Sequence, residues 1–121
     1  ISWMRIQDGK AERANSITFE DAKTLDLEPV EALRAFAASG LAELSDKDED
    51  LPPMASGAFG YIGYDMIQHV EPVEITGKDV LDVPEALLVI PGVVIIFDHL
   101  YQELLLIGRH APGERASSQS R

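Results

Sequence analysis

Apolar and polar positions divide the chain into short strand-like runs, one helical stretch and polar connectors. Ile1, Trp3, Met4 and Ile6 lead into Asp8-Gly9, a strong turn dipeptide, and Lys10 to Arg13 then reads as a return strand. Two strands alone are marginal in water, so this hairpin is expected to join a larger sheet and to borrow structure from elsewhere. Over Pro29 to Ser39, Val30, Leu33, Phe36 and Ala37 recur at helical spacing, with Glu31 opposite and Arg34 at the edge. Pro29 suits a first helical turn and Gly40 a C-terminal stop, whereas Glu28 is a poor N-cap. The helix is expected to cover one face of the sheet.

The second half is richer in strands. Leu51-Pro52-Pro53 stiffens the approach to a strand over Ala58 to Ile62, and Tyr64 to Val70 fits a short helix with Met66, Ile67 and Val70 apolar. Glu71 to Pro84, polar and broken by prolines and Gly77, reads as a surface loop. Ala86 to Ile90 and Val93 to Phe97 are strands, and Leu104 to Ile107 returns as a third after a turn over Asp98 to Gln102. The near-continuous apolar character of Val93 to Phe97 predicts burial on both faces. From Ala111 the composition turns to Pro, Gly, Ser, Gln and Arg, so 1–110 is expected to be one partial domain and 111–121 a disordered tail or junction. The pattern as a whole predicts an α+β fold with a mostly antiparallel sheet and one or two covering helices.

Charge narrows the partners. With 21 acidic against 10 basic residues, the net charge of -11 opposes phosphate backbones and anionic membrane surfaces, which argues against nucleic-acid and membrane partners. Part of that acidity is the run Asp46, Asp48, Glu49 and Asp50, interrupted by Lys47, which reads as a solvated loop. It lacks the glycine-turned pattern of a calcium loop. Cysteine is absent, so disulfides and thiolate chemistry are excluded. The longest apolar run, Ala86 to Phe97, is interrupted by Pro91 and Gly92 and is too short to span a membrane. A cytoplasmic location is the expectation.

One segment is not explained by patterning. Gly57, Gly60 and Gly63 recur every third residue, with Phe59, Tyr61 and Tyr64 among them and Asp65 closing the run. Glycine weakens a strand, so three in a strand-forming segment point to close approach of another backbone or a ligand. G-A-F-G-Y-I-G is not a dinucleotide fingerprint and has no following Lys-Ser or Lys-Thr, and Asp79 lies in a loop where a ribose ligand would need a strand end. Catalytic candidates are few. His99 follows Asp98 in a turn and reads as a surface residue; His69 with Glu71 supplies two of the three or four ligands that zinc requires. Asp65, which follows the tyrosines, is placed to cap the short helix or to make a buried hydrogen bond, with direct contact to a ligand as the alternative.

The stretch PPMASGAFGYIGYDM resembles the glycine-tyrosine signature in the N-terminal domain of the anthranilate synthase component I family, which belongs to the chorismate-utilising enzymes. VPEALLVIPGVVIIFDHLYQELLL resembles that family's next landmark, a "P-[DE]-[AL]-L-L" stretch and a strand ending in Phe-Asp, in the right order and at the right separation. ISWMRIQDGKAER is similar to its "W-R-x-x-x-G-x-A-E" hairpin, with Met4 between Trp3 and Arg5. The positions matching the family motifs are Pro53, Gly57, Gly60, Tyr61, Tyr64, Asp65, Phe97 and Asp98; Ser56-Gly57 stands where the family usually has Gly-Gly. The resemblance implies part of a regulatory-type N-terminal domain within a larger one. Its parent would convert chorismate and ammonia, free or from glutamine, to anthranilate and pyruvate, with magnesium in a catalytic domain, a glutamine amidotransferase subunit as partner, and inhibition by tryptophan. The upstream Leu-Leu-Glu-Ser segment and the catalytic residues are not in this sequence, so the chain alone is expected to be inactive and to need no cofactor. The related aminodeoxychorismate synthase component and a free-standing, non-catalytic binding module are the alternatives.

Overall fold

A computed structural model describes residues 1–41 and 51–109. The acidic run 46–50 and the predicted tail 111–121 lie outside the described residues. Strands β1 (Ser2–Gln7) and β2 (Lys10–Ala14) form the expected hairpin. Its turn holds Asp8 and Gly9 at φ 50 and 70, the doubly left-handed backbone that a tight two-residue connection requires. With β3 (Lys23–Leu25), β4 (Phe59–Ile62) and β5 (Ala86–Ile90) it builds a five-stranded antiparallel sheet in the order β3-β2-β1-β5-β4. The hairpin therefore finds its sheet partners within this chain, contrary to the expectation that they come from elsewhere.

Register decides which side chains meet. Met4 faces Leu88 and Ile6 faces both Ala11 and Ala86, so these residues share one face of the sheet. Helix α1 (Pro29–Leu41) lays Ala32, Leu33 and Phe36 on that face. Ile6 and Ala32 are wholly buried, and removing an isoleucine side chain from water is worth about 1.5–3 kcal/mol. The helix does not stop at Gly40: it continues to Leu41, and Gly40 is buried inside it. A Cβ at Gly40 would lie 2.9 Å from the carbonyl carbon of Gly57, so the glycine is required by helix-to-loop contact rather than by a C-terminal cap.

The other face carries Trp3, Arg5, Leu87, Val89, Phe59 and Tyr61 at register positions facing one another. Arg5 donates to the carboxylate of Glu12, directly opposite on β2, at 2.5 Å, and its guanidinium lies 4.4 Å from the centroid of the Phe19 ring. The Arg and Glu of the hairpin motif are thus one cross-strand ion pair.

Strands β6 (Val93–Asp98) and β7 (Glu103–Gly108) form a second, separate two-stranded sheet. Its two faces differ. Val94, Ile96, Leu105 and Ile107 are half-buried, whereas Val93, Ile95, Phe97, Leu104 and Leu106 are each more than half exposed. The prediction that Val93 to Phe97 is buried on both faces fails for these residues, because no described element covers that outer face.

Candidate functional site

The glycine-tyrosine segment and the Pro-Glu-Ala-Leu-Leu segment, far apart in sequence, are paired strands. Gly60 lies opposite Leu88 with φ at 149, and a Cβ there would meet the Leu87 carbonyl oxygen at 2.0 Å. No side chain fits between these backbones, which is the close approach the glycine spacing predicted. At the end of β4 the Gly63 amide donates to the Glu85 carbonyl at 2.7 Å, and the Tyr61 hydroxyl donates to the Pro84 carbonyl at 2.8 Å.

Beyond Gly63 the chain turns into a 3-10 helix over Tyr64–His69, not an α-helix. Gly63 occupies its N-cap and no side chain caps it, so Asp65 sits exposed in the first turn without the capping role expected of it. His69 Nε2 and Glu85 Oε2 share a hydrogen bond of 2.5 Å, and the other Glu85 oxygen accepts the Gly9 amide at 3.2 Å. His69 therefore bonds to Glu85 and not to the Glu71 suggested by proximity in sequence. Glu85 joins three elements: the β1–β2 turn, the 3-10 helix and the start of β5. Sequence reasoning did not single it out, although it is the acidic position of the Pro-Glu-Ala-Leu-Leu landmark.

Two depressions flank this junction. A cleft of about 480 Å³ is walled by Gln7, Asp8, Tyr61, Tyr64, Asp65 and Glu85 on one side and by the 75–84 loop on the other. Its acids, Asp8, Asp65, Asp79 and Glu85, face a single base, Lys78, and its lining contains no serine, threonine, cysteine or histidine. Asp79 Oδ1 is engaged in its own loop, accepting the Asp82 amide at 2.9 Å. Such a lining can hydrogen-bond a polar group but holds no nucleophile-and-base pair. On the other side, a groove of about 660 Å³ runs between α1 and the 3-10 helix, with Val30, Leu33, Ile62, Met66 and Val70 in its walls. Its character is apolar.

Of the family-motif positions, Tyr61, Tyr64 and Asp65 share the cleft. Gly60 sits in the strand beside it; Gly57, at φ 114, meets the helix end; and Pro53, itself exposed, opens a short 3-10 turn, Pro53–Ala55, that ends on the buried Ala55. Phe97 and Asp98 lie in β6, where Asp98 Oδ1 accepts the Leu100 and Tyr101 amides at 2.9 and 3.1 Å and shapes the β6–β7 turn. His99 is exposed in that turn. Among the described residues no three histidine, cysteine or acidic side chains converge as a metal site. No described helix is long and apolar enough to cross a membrane.

No protein-family model matches the chain. Anthranilate synthase component 1 of Cereibacter sphaeroides is 37% identical over 101 residues, which is 84% of this chain and 20% of that protein. The Thermus thermophilus protein of the same name is 38% identical over 87 residues, 72% of this chain and 18% of that one. The chain therefore spans about a fifth of the length of these curated relatives. Among solved structures, anthranilate synthase component I from Streptococcus pneumoniae superposes with a TM-score of 0.73 at 21% identity, over 96% of this chain and 24% of that one. That likeness shows the α+β fold to be shared.

Proposed function

Because the chain belongs, over the stretch it spans, to the anthranilate synthase component I family, we propose that it serves as the N-terminal, non-catalytic part of an enzyme making anthranilate from chorismate. The observation carrying this reading is the pairing of the two family landmarks as adjacent strands, with Gly60 and Gly63 against Leu87 and Glu85. The identity to relatives of that name favours the tryptophan pathway over the aminodeoxychorismate branch. In this reading the reaction converts chorismate and ammonia to anthranilate and pyruvate, and it takes place in a catalytic part beyond these residues. Magnesium and a glutamine amidotransferase subunit would belong to that part, and the whole would be cytoplasmic.

The test is fluorimetric. The 121-residue chain with chorismate, magnesium and ammonium should form no anthranilate above a heat-killed control, whereas a polypeptide continuing these residues to family length should form it. Turnover by the chain alone, or the aminodeoxy product from the long polypeptide, would overturn the reading. Tryptophan should bind the chain no tighter than millimolar in calorimetry, because the upstream Leu-Leu-Glu-Ser segment implied by the resemblance is not in these residues and a charged hydrogen bond contributes about 1.5–3 kcal/mol.

A further inference from the structure

Asp8-Gly9 is the one Asp-Gly pair in the sequence, and it carries chemistry besides the turn it makes. A glycine after an aspartate puts no side chain in the way of its own backbone nitrogen, so that nitrogen can attack the aspartate Cγ. The Gly9 nitrogen gives up its proton, a hydroxyl of the Asp8 carboxyl group departs as water, and a five-membered imide closes. Water then adds at the former Asp8 backbone carbonyl and the C–N bond there breaks. The chain now runs through Cβ and Cγ of an isoaspartate, with the old carbonyl carbon as its free carboxylate. One water is released and one consumed, and no oxidant or cofactor enters. Both residues are exposed, so water reaches them.

Two features of the fold oppose this reaction. With φ at 50 and 70, Asp8 and Gly9 form the mirror-image turn in which ψ of the first residue lies near about +30°. Ring closure needs the Asp8 Cβ and the Gly9 nitrogen on the same side of the Cα–C bond, and at that ψ they lie nearly opposite. The turn must therefore open first. The second feature is the Gly9 amide, which donates to Glu85 Oε1 at 3.2 Å while His69 Nε2 holds the other oxygen of that carboxylate. Rotation about the Asp8 Cα–C bond carries the Gly9 amide off this acceptor, so the same bond that orients Glu85 also resists the opening.

We propose that Asp8 is a latent isoaspartate site, kept unreactive by the closed turn and by the Glu85 carboxylate that clamps it. The guard matters because isomerisation adds a methylene group to the backbone of the two-residue connection that sets the five pairs from Trp3 with Ala14 to Gln7 with Lys10. It also places a new backbone carboxylate beside that of Glu85. Strand β1 lies between β2 and β5, so a change of register at this turn reaches both neighbours.

Ageing the chain at neutral pH tests the proposal. Trypsin releases residues 6–10 as one peptide, whose aspartyl and isoaspartyl forms separate by chromatography. The folded chain should accumulate the isoaspartyl form at least tenfold more slowly than the free peptide of the same five residues, because only the opened turn reacts. Glu85→Ala should speed conversion in the chain at least threefold, whereas Glu85→Gln, whose amide still accepts from Gly9, should stay near wild type. Asn15-Ser16 holds the sequence's one asparagine, which deamidates through the same ring closure with loss of ammonia, and it reports general loosening. It should react at the wild-type rate in both variants. Equal rates in chain and peptide overturn the proposal, and this comparison needs no variant to fold. So does a Glu85→Ala chain with no acceleration at Asp8, or one in which Asn15 speeds up as much as Asp8.

Discussion

The two sheets of this molecule are made from similar sequences and meet opposite fates. In the five-stranded sheet, Met4, Ile6 and Ala86 are at most 1% exposed; in the two-stranded sheet, Ile95, Phe97 and Leu106 remain more than half exposed. Strand composition does not separate them, since VVIIFD is at least as apolar as SWMRIQ. What differs is the cover. Helix α1 and Met66 of the 3-10 helix lie over the first sheet, while the outer face of the second has no layer above it among the described residues. Hydrophobic pattern thus states a demand for burial, and topology decides whether the same stretch of chain meets it.

Truncation at matched positions gives the sharpest contrast. Ile6→Ala should cost about 2–5 kcal/mol, because it leaves a cavity under α1, whereas Ile95→Ala in the same chain should stay within about 0.5 kcal/mol. Urea melts read both, and equal losses would erase the distinction between the sheets. Next in size is Gly60→Val, expected to lose about 2–4 kcal/mol through a left-handed backbone and a clash with the Leu87 carbonyl, despite valine's better strand propensity. Gly77→Val, in open space, is the control and should be near neutral.

Smaller effects sharpen the account of how the first sheet is held together. His69→Ala removes the bond to Glu85 that ties the 3-10 helix to the sheet, and should cost about 1–2 kcal/mol in chemical denaturation. Glu85→Gln should cost less, since the amide can still accept from Gly9; a larger loss would mean the carboxylate acts elsewhere. The smallest effect belongs to Asp21, whose carboxylate accepts the Asn15 amide at the β2–β3 connection and is held below its usual range chiefly by that bond. A lowered folded pKa contributes stability above the unfolded value, near 3.9, that is lost as pH falls through the folded value. Thermal midpoints of wild type and Asp21→Asn should therefore differ slightly at pH 6 and converge as the pH falls through the lowered folded pKa.

Much of the first sheet was legible in the sequence because its cues are local. Asp8-Gly9 names its own turn, Pro29 its helix start, and a short run of five apolar residues marks β5. Strand β3 was not legible: Lys23, Thr24 and Leu25 have neither the length nor the alternation to signal a strand, and only pairing with β2 makes them one. Gly40 was misread because helix-stop and close-contact glycines look alike until the backbone of Gly57 is seen across from it. In the site, the glycine spacing announced close approach of a backbone or a ligand, and at Gly60 and Gly63 it is a backbone that approaches; the identity of Glu85 as the partner of His69 depends on a long-range fold contact. The uncovered face of the hairpin could not be read at all, since it depends on what lies outside the strands.

The strand order has a consequence for synthesis. Strand β1 sits at the middle of the sheet, yet one of its two neighbours, β5, is made last of the five: Ser2 pairs with Ile90. While the ribosome adds the residues from the end of β2 at Ala14 to the end of β5 at Ile90, at roughly 5–20 per second, the β1–β2 hairpin waits with a bare edge for about 4 to 15 s. An unpaired apolar edge is a template for the wrong strand. The nascent chain is thus most vulnerable to aggregation before Ala86–Ile90 emerges, and stalling translation within the 71–84 loop should increase its association with chaperones.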